Sequence, residues 1–430
     1  MAPLLVSGAL SAYPLATENT ATQRCCMQAS PTSTQIVEFD AARLEGLDAL
    51  RGFALLGLFL VHVVHFYDLY WFHSTTNPEQ LRWKLLVEEI FHGKAFALMA
   101  LCFGVSFFII MDRSARRGID FTRRFVWRLT LLGMLGFLHS LLYRYDFLEV
   151  LALMGLFLVP FHRVRSQVLV GLALLTLLRP LALMEMAGAS AGIDWLQWPF
   201  QAVTNAQDLR FSSQHLVTLV RANLGYQLHG KLATLLHSGQ LGQTFGLSLL
   251  GLYLGRIGFF SQPGKYARAR LLGLAISLIA LPGLYYADHA LMALVPDSVS
   301  WANLRETLSS VLLSWLNLAK MAALMLTFTI LYYTAFGRAL NLLAPVGRMT
   351  LTLYVAQSLV FVPVFYAFGS GEYATMPEST AVSLGLAACV LQVLVANLWF
   401  RNMLYGPLEW LWRSGTYMTM GIPILRWSPR

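Results

Sequence analysis

The sequence RLEGLDALRGFALLGLFLVHVVHFYDLYWFH, residues 43–73, indicates how this chain is built. Charged side chains at Asp48 and Arg51 precede a long apolar run, which is followed by His62 and, after an aromatic cluster, by His73. At 100° per residue, Asp48, Arg51 and His62 fall within one helical stripe about 80° wide. A charge or an imidazole that faces lipid costs on the order of 3 kcal/mol, so this stripe is expected to face protein or water.

The composition is typical of a membrane protein. Of 430 residues, 57% are hydrophobic and 12% are charged, whereas soluble domains carry about 25% charged residues. Apolar runs approaching the length that crosses a lipid bilayer recur along the chain. The sequence therefore predicts an all-α, polytopic transmembrane helix bundle with about ten spans. We place these spans at residues 49–67, 95–111, 125–143, 147–161, 167–186, 241–260, 270–287, 316–336, 349–368 and 380–400.

The net charge of +9 carries topological information rather than a signal for nucleic-acid binding. Under this assignment, most Lys and Arg residues lie in loops on one side of the membrane, such as 113–128 and 256–270. The positive-inside rule makes that side cytoplasmic. Both termini are then cytoplasmic, and the polar segment 187–240, between spans five and six, is expected to face outward.

The chain is predicted to contain one transmembrane domain, residues 43–420, flanked by two cytoplasmic tails. Residues 1–42 are rich in Ser, Thr, Ala and Gln and are expected to be disordered. Residues 421–430 form the second tail. We find no internal repeat, a feature on which many secondary transporters are built.

Asp48 and Arg51 are three residues apart, so they can pair on one helix face. They either anchor the inner end of the first span or form a polar vestibule where Arg51 meets a phosphate-bearing donor. Lys94, at the start of the second span, either extends toward the interface or lines the same cavity. The sequence leaves these alternatives open.

Further candidate residues lie within or beside later spans. His62 either lines an internal polar cavity or is a satisfied buried histidine. His139 lies in the third span, and Asp146 follows in the turn to the fourth, where a carboxylate can orient an imidazole. Arg221, in the polar segment, is a supporting candidate or an ordinary surface arginine. The sequence lacks G-x-x-x-x-G-K-[ST], G-x-G-x-x-G, H-E-x-x-H and G-x-S-x-G motifs, and its Cys and His spacing predicts no metal site.

The motifs resemble those of one family, the YeiB-like bacterial inner-membrane proteins, which carry a domain of unknown function. The matching segments occur in order over about residues 43–420. They are RLEGLDALRGFALLG, HGKAFALMALCFGVSF, RRFVWRLTLLGMLGFLH, YDFLEVLALMGL, LLGLYLGRIGFF, GRMTLTLYVAQS and GPLEWLWRSGTY. This resemblance implies a bacterial inner-membrane location.

The first span is also distantly similar to that of transmembrane acyltransferases, including the heparan-α-glucosaminide N-acetyltransferases. The shared pattern is Asp-x-x-Arg-Gly followed by a polar residue fourteen positions after the Asp, here Asp48 and His62. In the N-acetyltransferases the proposed catalytic histidine comes eleven residues later, and His73 matches that placement. The resemblance implies acyl-CoA as donor, a small-molecule or glycan acceptor, and His73 with His62 as catalytic residues.

Three functions are compatible with these features. The chain is either an acyltransferase, a permease for a small amphipathic metabolite that uses the same polar interior without chemistry, or a scaffold for a membrane complex. The missing repeat argues against the permease, and charged groups inside the bundle argue against the scaffold. The most informative observation would be whether a cytoplasm-facing cavity meets an outer pocket near His62 and His73.

Overall fold

A computed structural model describes residues 44–69, 78–180, 182–184, 214–294 and 302–426. Within these ranges the secondary structure is helical, which confirms the all-α class. The tail 1–42, the first part of the polar segment 187–240, and His73 lie outside the described residues.

The α-helices largely follow the apolar runs of the sequence. They are α1 (Glu45–Val61), α2 (Pro78–Phe91), α3 (Lys94–Arg116), α4 (Thr122–Leu142), α5 (Leu148–Leu158), α6 (Ser166–Leu177), α7 (Leu216–His229), α8 (Lys231–His237), α9 (Gln240–Ile257), α10 (Ala267–Leu294), α11 (Ala302–Tyr332), α12 (Gly337–Leu340), α13 (Ala344–Arg348), α14 (Thr350–Phe365), α15 (Glu378–Asn402) and α16 (Pro407–Tyr417). Short π-helical or 3-10 segments follow α1, α5, α12 and α14.

Fewer than ten of the described helices are long enough and apolar enough to cross a membrane. Among the described residues, six do so, and the pair Gly337–Arg348 and Thr350–Phe365, bent by 77°, makes a seventh if it is one span. The predicted spans at 147–161, 167–186 and 241–260 coincide with α5, α6 and α9, which are too short or too polar. A multi-pass membrane protein is therefore supported, and ten spans remain a prediction.

Helix α1 lies at the centre of the bundle. In the span Glu45–Tyr67, 89% of the most apolar 18-residue stretch is buried within the protein. The corresponding value for Ala267–Leu294 is 6%. Helix α1 packs against α3 and α13, and α10 packs mainly on α11. The polar stripe of α1 thus faces protein, as the cost of exposing charges to lipid requires.

Glycines allow the central helices to approach backbone to backbone. A Cβ added at Gly347 of α13 would lie 1.8 Å from the carbonyl oxygen of Asp48 in α1. Likewise, a Cβ at Gly104 of α3 would lie 2.0 Å from the carbonyl oxygen of Ser248 in α9. Small residues are what permits such crossings in membranes, where apolar burial does not drive helices together.

Helix α1 ends in a π-helical turn, His62–Tyr67. The amide of Asp68 donates to the carbonyl oxygen of Val63 at 3.3 Å, the wide i to i+5 spacing of such a turn. The extra residue changes the direction of the side chains after His62. Turns of this kind occur often at functional sites.

The start of α14 is capped from α16. One carboxylate oxygen of Glu409 accepts the amides of Leu351 and Thr352 at 2.7 and 3.1 Å, and the other accepts the Thr352 hydroxyl at 2.6 Å. This satisfies amides that have no partner within the helix. Burial raises the pKa of the Glu409 carboxyl above its ordinary value of 4.5, against the opposing effect of these hydrogen bonds.

The raised pKa of Glu409 has a consequence for stability. The folded chain holds this proton at pH values where the unfolded chain has lost it, so stability falls as the pH rises from 4.5 through the folded-state pKa. Glu409→Gln is expected to flatten this slope. The thermal unfolding midpoint of the detergent-solubilised protein across that window is the measurement, with the exposed Glu306→Gln as control. Equal slopes in wild type and Glu409→Gln would contradict the assignment.

Candidate active site

Aromatic and imidazole rings gather around His62 in the interior of the bundle. The His62 ring centroid lies 5.2 Å from that of Tyr143 and 6.1 Å from that of Tyr354. His139 contacts the same two rings, at 6.0 and 5.1 Å. Tyr67 also packs on His62 and Tyr143, at 5.7 and 4.9 Å. We call His62, Tyr67, His139, Tyr143 and Tyr354 the central cluster; all five are buried.

Three segments supply the central cluster. His62 and Tyr67 stand at the two ends of the π-helical turn, and His139 lies in the last turn of α4. Tyr143 ends α4, and Tyr354 lies in the first turns of α14. The hydroxyl of Tyr67 forms a hydrogen bond of 2.9 Å with that of Ser358, one turn further along α14.

His139 and Asp146 form a buried pair. The Nδ1 of His139 lies 2.7 Å from Oδ1 of Asp146, and the backbone amide of Glu149 donates to Oδ2 at 3.3 Å. A carboxylate accepts only, so Nδ1 carries the proton. The lone pair of His139 is then on Nε2. This is the arrangement in which an acidic residue holds an imidazole ready to act as a base.

Several polar atoms of the central cluster have no hydrogen-bond partner. Among the described residues, His62 Nδ1, His139 Nε2 and the Tyr143 hydroxyl are buried and unpaired. Leaving such groups unsatisfied costs about 1–3 kcal/mol each. Three of them on rings that contact one another point to a site for a polar ligand.

A second set of charged side chains lies next to the His139–Asp146 pair. The Glu149 carboxylate accepts the Ser140 hydroxyl at 3.0 Å and is paired with Lys231 of α8. Glu149, in the first turn of α5, therefore lies between α4 and α8. Lys231 lies in the second half of the polar segment 187–240, so that segment helps to build the site.

The remaining predicted residues lie elsewhere. Lys94 is buried and its Nζ donates to the carbonyl oxygen of Glu88 at 3.1 Å. Arg221 is exposed on α7 and is not part of the central cluster. Asp48 and Arg51 lie near the opposite end of α1 from His62. The roles predicted for these residues stay predictions.

The guanidinium of Arg51 joins three helices. It donates to Asp48 Oδ1 at 2.9 Å, to the Gly347 carbonyl oxygen at 3.2 Å and to the Ser106 hydroxyl at 2.6 Å. The Arg51 side chain is 20% exposed. This geometry supports the anchoring alternative, because three of the five guanidinium N–H donors already bond to protein atoms.

Arg51→Lys tests that anchoring role. A lysine ammonium keeps the charge but lacks the planar fork, so it is expected to lose most of these bonds and about 1–3 kcal/mol of stability. A lower thermal unfolding midpoint in detergent is the measurement. The exposed Arg116→Lys, whose single pair with Asp112 should contribute little, is the matched control. Equal midpoints for both variants would contradict anchoring.

The sequence could not reveal the tyrosines of the central cluster. Tyr143 and Tyr354 are hydroxyl-bearing aromatics at the edges of apolar runs, where Tyr is common at membrane interfaces. Their one signal is a polar hydroxyl placed within or next to a span.

Two family models match different parts of this chain. Residues 43–219 match the family described as "Heparan-alpha-glucosaminide N-acetyltransferase, catalytic", and this range contains four of the five central-cluster residues. With the apolar helices, the match indicates an acyltransferase-like, multi-pass membrane protein. Residues 254–419 match "Protein of unknown function (DUF418)".

Full-length relatives make the comparison more specific. The "Uncharacterized protein YeiB" of Escherichia coli (strain K12) is 28% identical over 420 residues, covering 89% of this chain and 98% of the relative. The "Uncharacterized protein YxaH" of Bacillus subtilis (strain 168) is 25% identical over 406 residues, covering 88% and 95%. These findings confirm the resemblance to the YeiB-like family and its link to the acyltransferases.

Proposed function

We propose that this protein is an integral membrane acyltransferase that moves an acyl group, in the simplest case acetyl, from cytosolic acyl-CoA to a hydroxyl or amine at the outer face. The observation that carries the proposal is the His139–Asp146 pair, with its unpaired Nε2, inside a cluster that holds two further unpaired polar atoms. The match of residues 43–219 to an N-acetyltransferase catalytic family supports it independently.

The pair supplies what acyl transfer needs. His139 Nε2 takes the proton of the acceptor as its oxygen or nitrogen attacks the thioester carbonyl carbon. The carbon–sulfur bond breaks, and the CoA sulfur leaves with the proton that His139 returns. Asp146 stabilises the imidazolium formed in between. The unpaired Tyr143 hydroxyl is a donor suited to the oxyanion of the tetrahedral intermediate.

Two histidines from the first span complete the proposal. His62 lines the path of the acyl group, and its unpaired Nδ1 supports contact with substrate. His73 remains the candidate general base or transient acyl acceptor that the resemblance implies. If His73 accepts the acyl group, His139 serves the acceptor half of the reaction. Asp48 and Arg51 are proposed to shape the donor entrance. Lys94, which lies twelve residues along α3 from the Ser106 that bonds Arg51, is proposed to line the path further from that entrance.

The direct test is transfer of label from [14C]acetyl-CoA to glucosamine by the purified full-length protein in nanodiscs. Glucosamine is an amino sugar with both acceptor groups. Labelled product that depends on the protein is expected. His73→Ala should abolish transfer and leave CoA binding intact, whereas full turnover in His73→Ala would assign the chemistry to His139 alone.

The competing permease function predicts a different result. A permease moves an intact amphipathic solute across the liposome membrane and releases no CoA from acetyl-CoA. Uptake without CoA release over a panel of amino sugars would overturn the acyltransferase proposal. A scaffold would show neither activity.

The direction of transfer depends on topology, which is tested by cysteine labelling in intact cells. In a background where Cys25 and Cys26 are replaced by Ser, His215→Cys should react with an impermeant maleimide and Arg117→Cys should react only after the membrane is opened. Both positions are exposed, and Cys102 and Cys389 are buried, so access reports sidedness. The opposite pattern would reverse the assignment.

A further inference from the structure

A second group of ionisable side chains lies beside the central cluster. His65, in the π-helical turn, has its Nδ1 2.8 Å from Oε1 of Glu88 in α2. The ring of His92, at the junction of α2 and α3, lies 4.7 Å from the His65 ring. One potential ligand atom from each of the three residues lies within 4.8 Å of the other two.

Two imidazoles and one carboxylate form a ligand set that is typical of zinc sites. Zinc sites that keep an open position commonly have three protein ligands of this type, with water or substrate in the fourth. Magnesium and calcium prefer oxygen ligands, so a set dominated by nitrogen favours a transition metal of the zinc class. The side chains of His65 and Glu88 are 13% and 21% exposed, so solvent reaches part of each.

The observed spacing requires only side-chain adjustment. Tetrahedral bonds of about 2.1 Å hold ligand atoms roughly 3.4 Å apart. The His65–Glu88 contact of 2.8 Å must open slightly, and the longest separation, at most 4.8 Å, must close. Rotation about side-chain bonds covers such changes, because His65 and Glu88 stand on separate helices and His92 at a break marked by Gly93, whose φ is +74°.

Two backbone features set the orientation of His65, Glu88 and His92. The π-helical turn sets the direction of His65, and the left-handed Gly93 sets the direction of α2 relative to α3. Lys94 donates to the carbonyl oxygen of Glu88, and the Glu88 carboxylate contacts His65. The spacing of residues in the sequence could not show this group of three ligands, because they lie on two helices that meet only in the fold.

We propose that His65, Glu88 and His92 bind a divalent transition-metal ion of the zinc class with an open coordination position. Phe66 contacts both His65 and His62, at 4.7 and 5.7 Å, so the ion lies next to the proposed acyl-transfer site. Metal content is measured without acyl transfer, so the metal site and the acyltransferase function can each be refuted without the other.

Metal content of the full-length protein is the test. After removal of any affinity tag and treatment with EDTA, the protein in detergent is given zinc, separated from free ion by gel filtration and analysed by mass spectrometry. About one zinc per chain is expected for wild type. His65→Ala and His92→Ala should lose it. His289→Ala, which changes a histidine on α10 in edge contact with Tyr285, should retain it. Wild-type protein without zinc, or equal zinc in all variants, would overturn the site.

Cobalt keeps the proposal testable if a variant fails to fold. Wild-type protein loaded with cobalt should show visible absorption bands of a low-symmetry nitrogen and oxygen site. Zinc should also raise the thermal unfolding midpoint of wild type. Glu88→Gln, which keeps the shape of the side chain, should remove both signals. Wild type that gives neither the bands nor the shift refutes the proposal.

Discussion

His139→Gln is expected to lower acyl transfer by about 100-fold to 10,000-fold, the range for loss of a general base. Glutamine preserves much of the side-chain volume and can still bond Asp146, but it cannot take a proton near pH 7. Binding of CoA should change little, because that function is proposed to lie elsewhere. Rate constants for labelled acetyl transfer to glucosamine, compared with CoA binding on the same preparation, are the measurement.

Two companion variants separate chemistry from folding. Asp146→Asn keeps the contact but can hold His139 in the wrong tautomer, so it should show a similar loss. His162→Gln changes a histidine in the turn after α5, outside the central cluster, and should leave turnover unchanged. Normal turnover in His139→Gln would remove the His139–Asp146 pair from the mechanism.

Gly104→Ala is expected to cause the largest loss of stability. The new Cβ would lie 2.0 Å from the Ser248 carbonyl oxygen and 2.9 Å from its Cα, both backbone atoms that cannot turn away. Helices α3 and α9 would have to separate, breaking the hydrogen bond of 3.2 Å from the Ser248 hydroxyl to the Ala100 carbonyl oxygen. Overpacking costs about 1–3 kcal/mol and occasionally more, and this case lies at the upper end.

Gly171→Ala is the matched control, because it makes the same substitution inside helix α6 with nothing within 4 Å of the added Cβ. It should be neutral or stabilise by up to about 1 kcal/mol through helix propensity. Thermal unfolding followed by size-exclusion chromatography in detergent compares the two variants. Equal midpoints would show that α3 and α9 do not cross as closely as described.

Some features of the candidate site could be derived from sequence and others could not. His62 and His139 were predicted as site residues because ionisable groups are costly in apolar spans, and Asp146 because a carboxylate can orient an imidazole. Their pairing was not derivable, since it depends on how the turn after α4 folds back. His73, the residue that the family resemblance favoured, lies outside the described residues and keeps its role as a prediction.

The sequence by itself determined the helical class, the approximate position of several apolar spans and the polar stripe of α1, because hydropathy and helical periodicity are local properties. Only the tertiary structure decided which rings meet. Tyr354 reaches His62 and His139 from a distant part of the chain, and Glu88 reaches His65 across two helices. Such contacts depend on helix rotation and crossing, which glycines such as Gly104 and Gly347 set through close backbone approach rather than through local pattern.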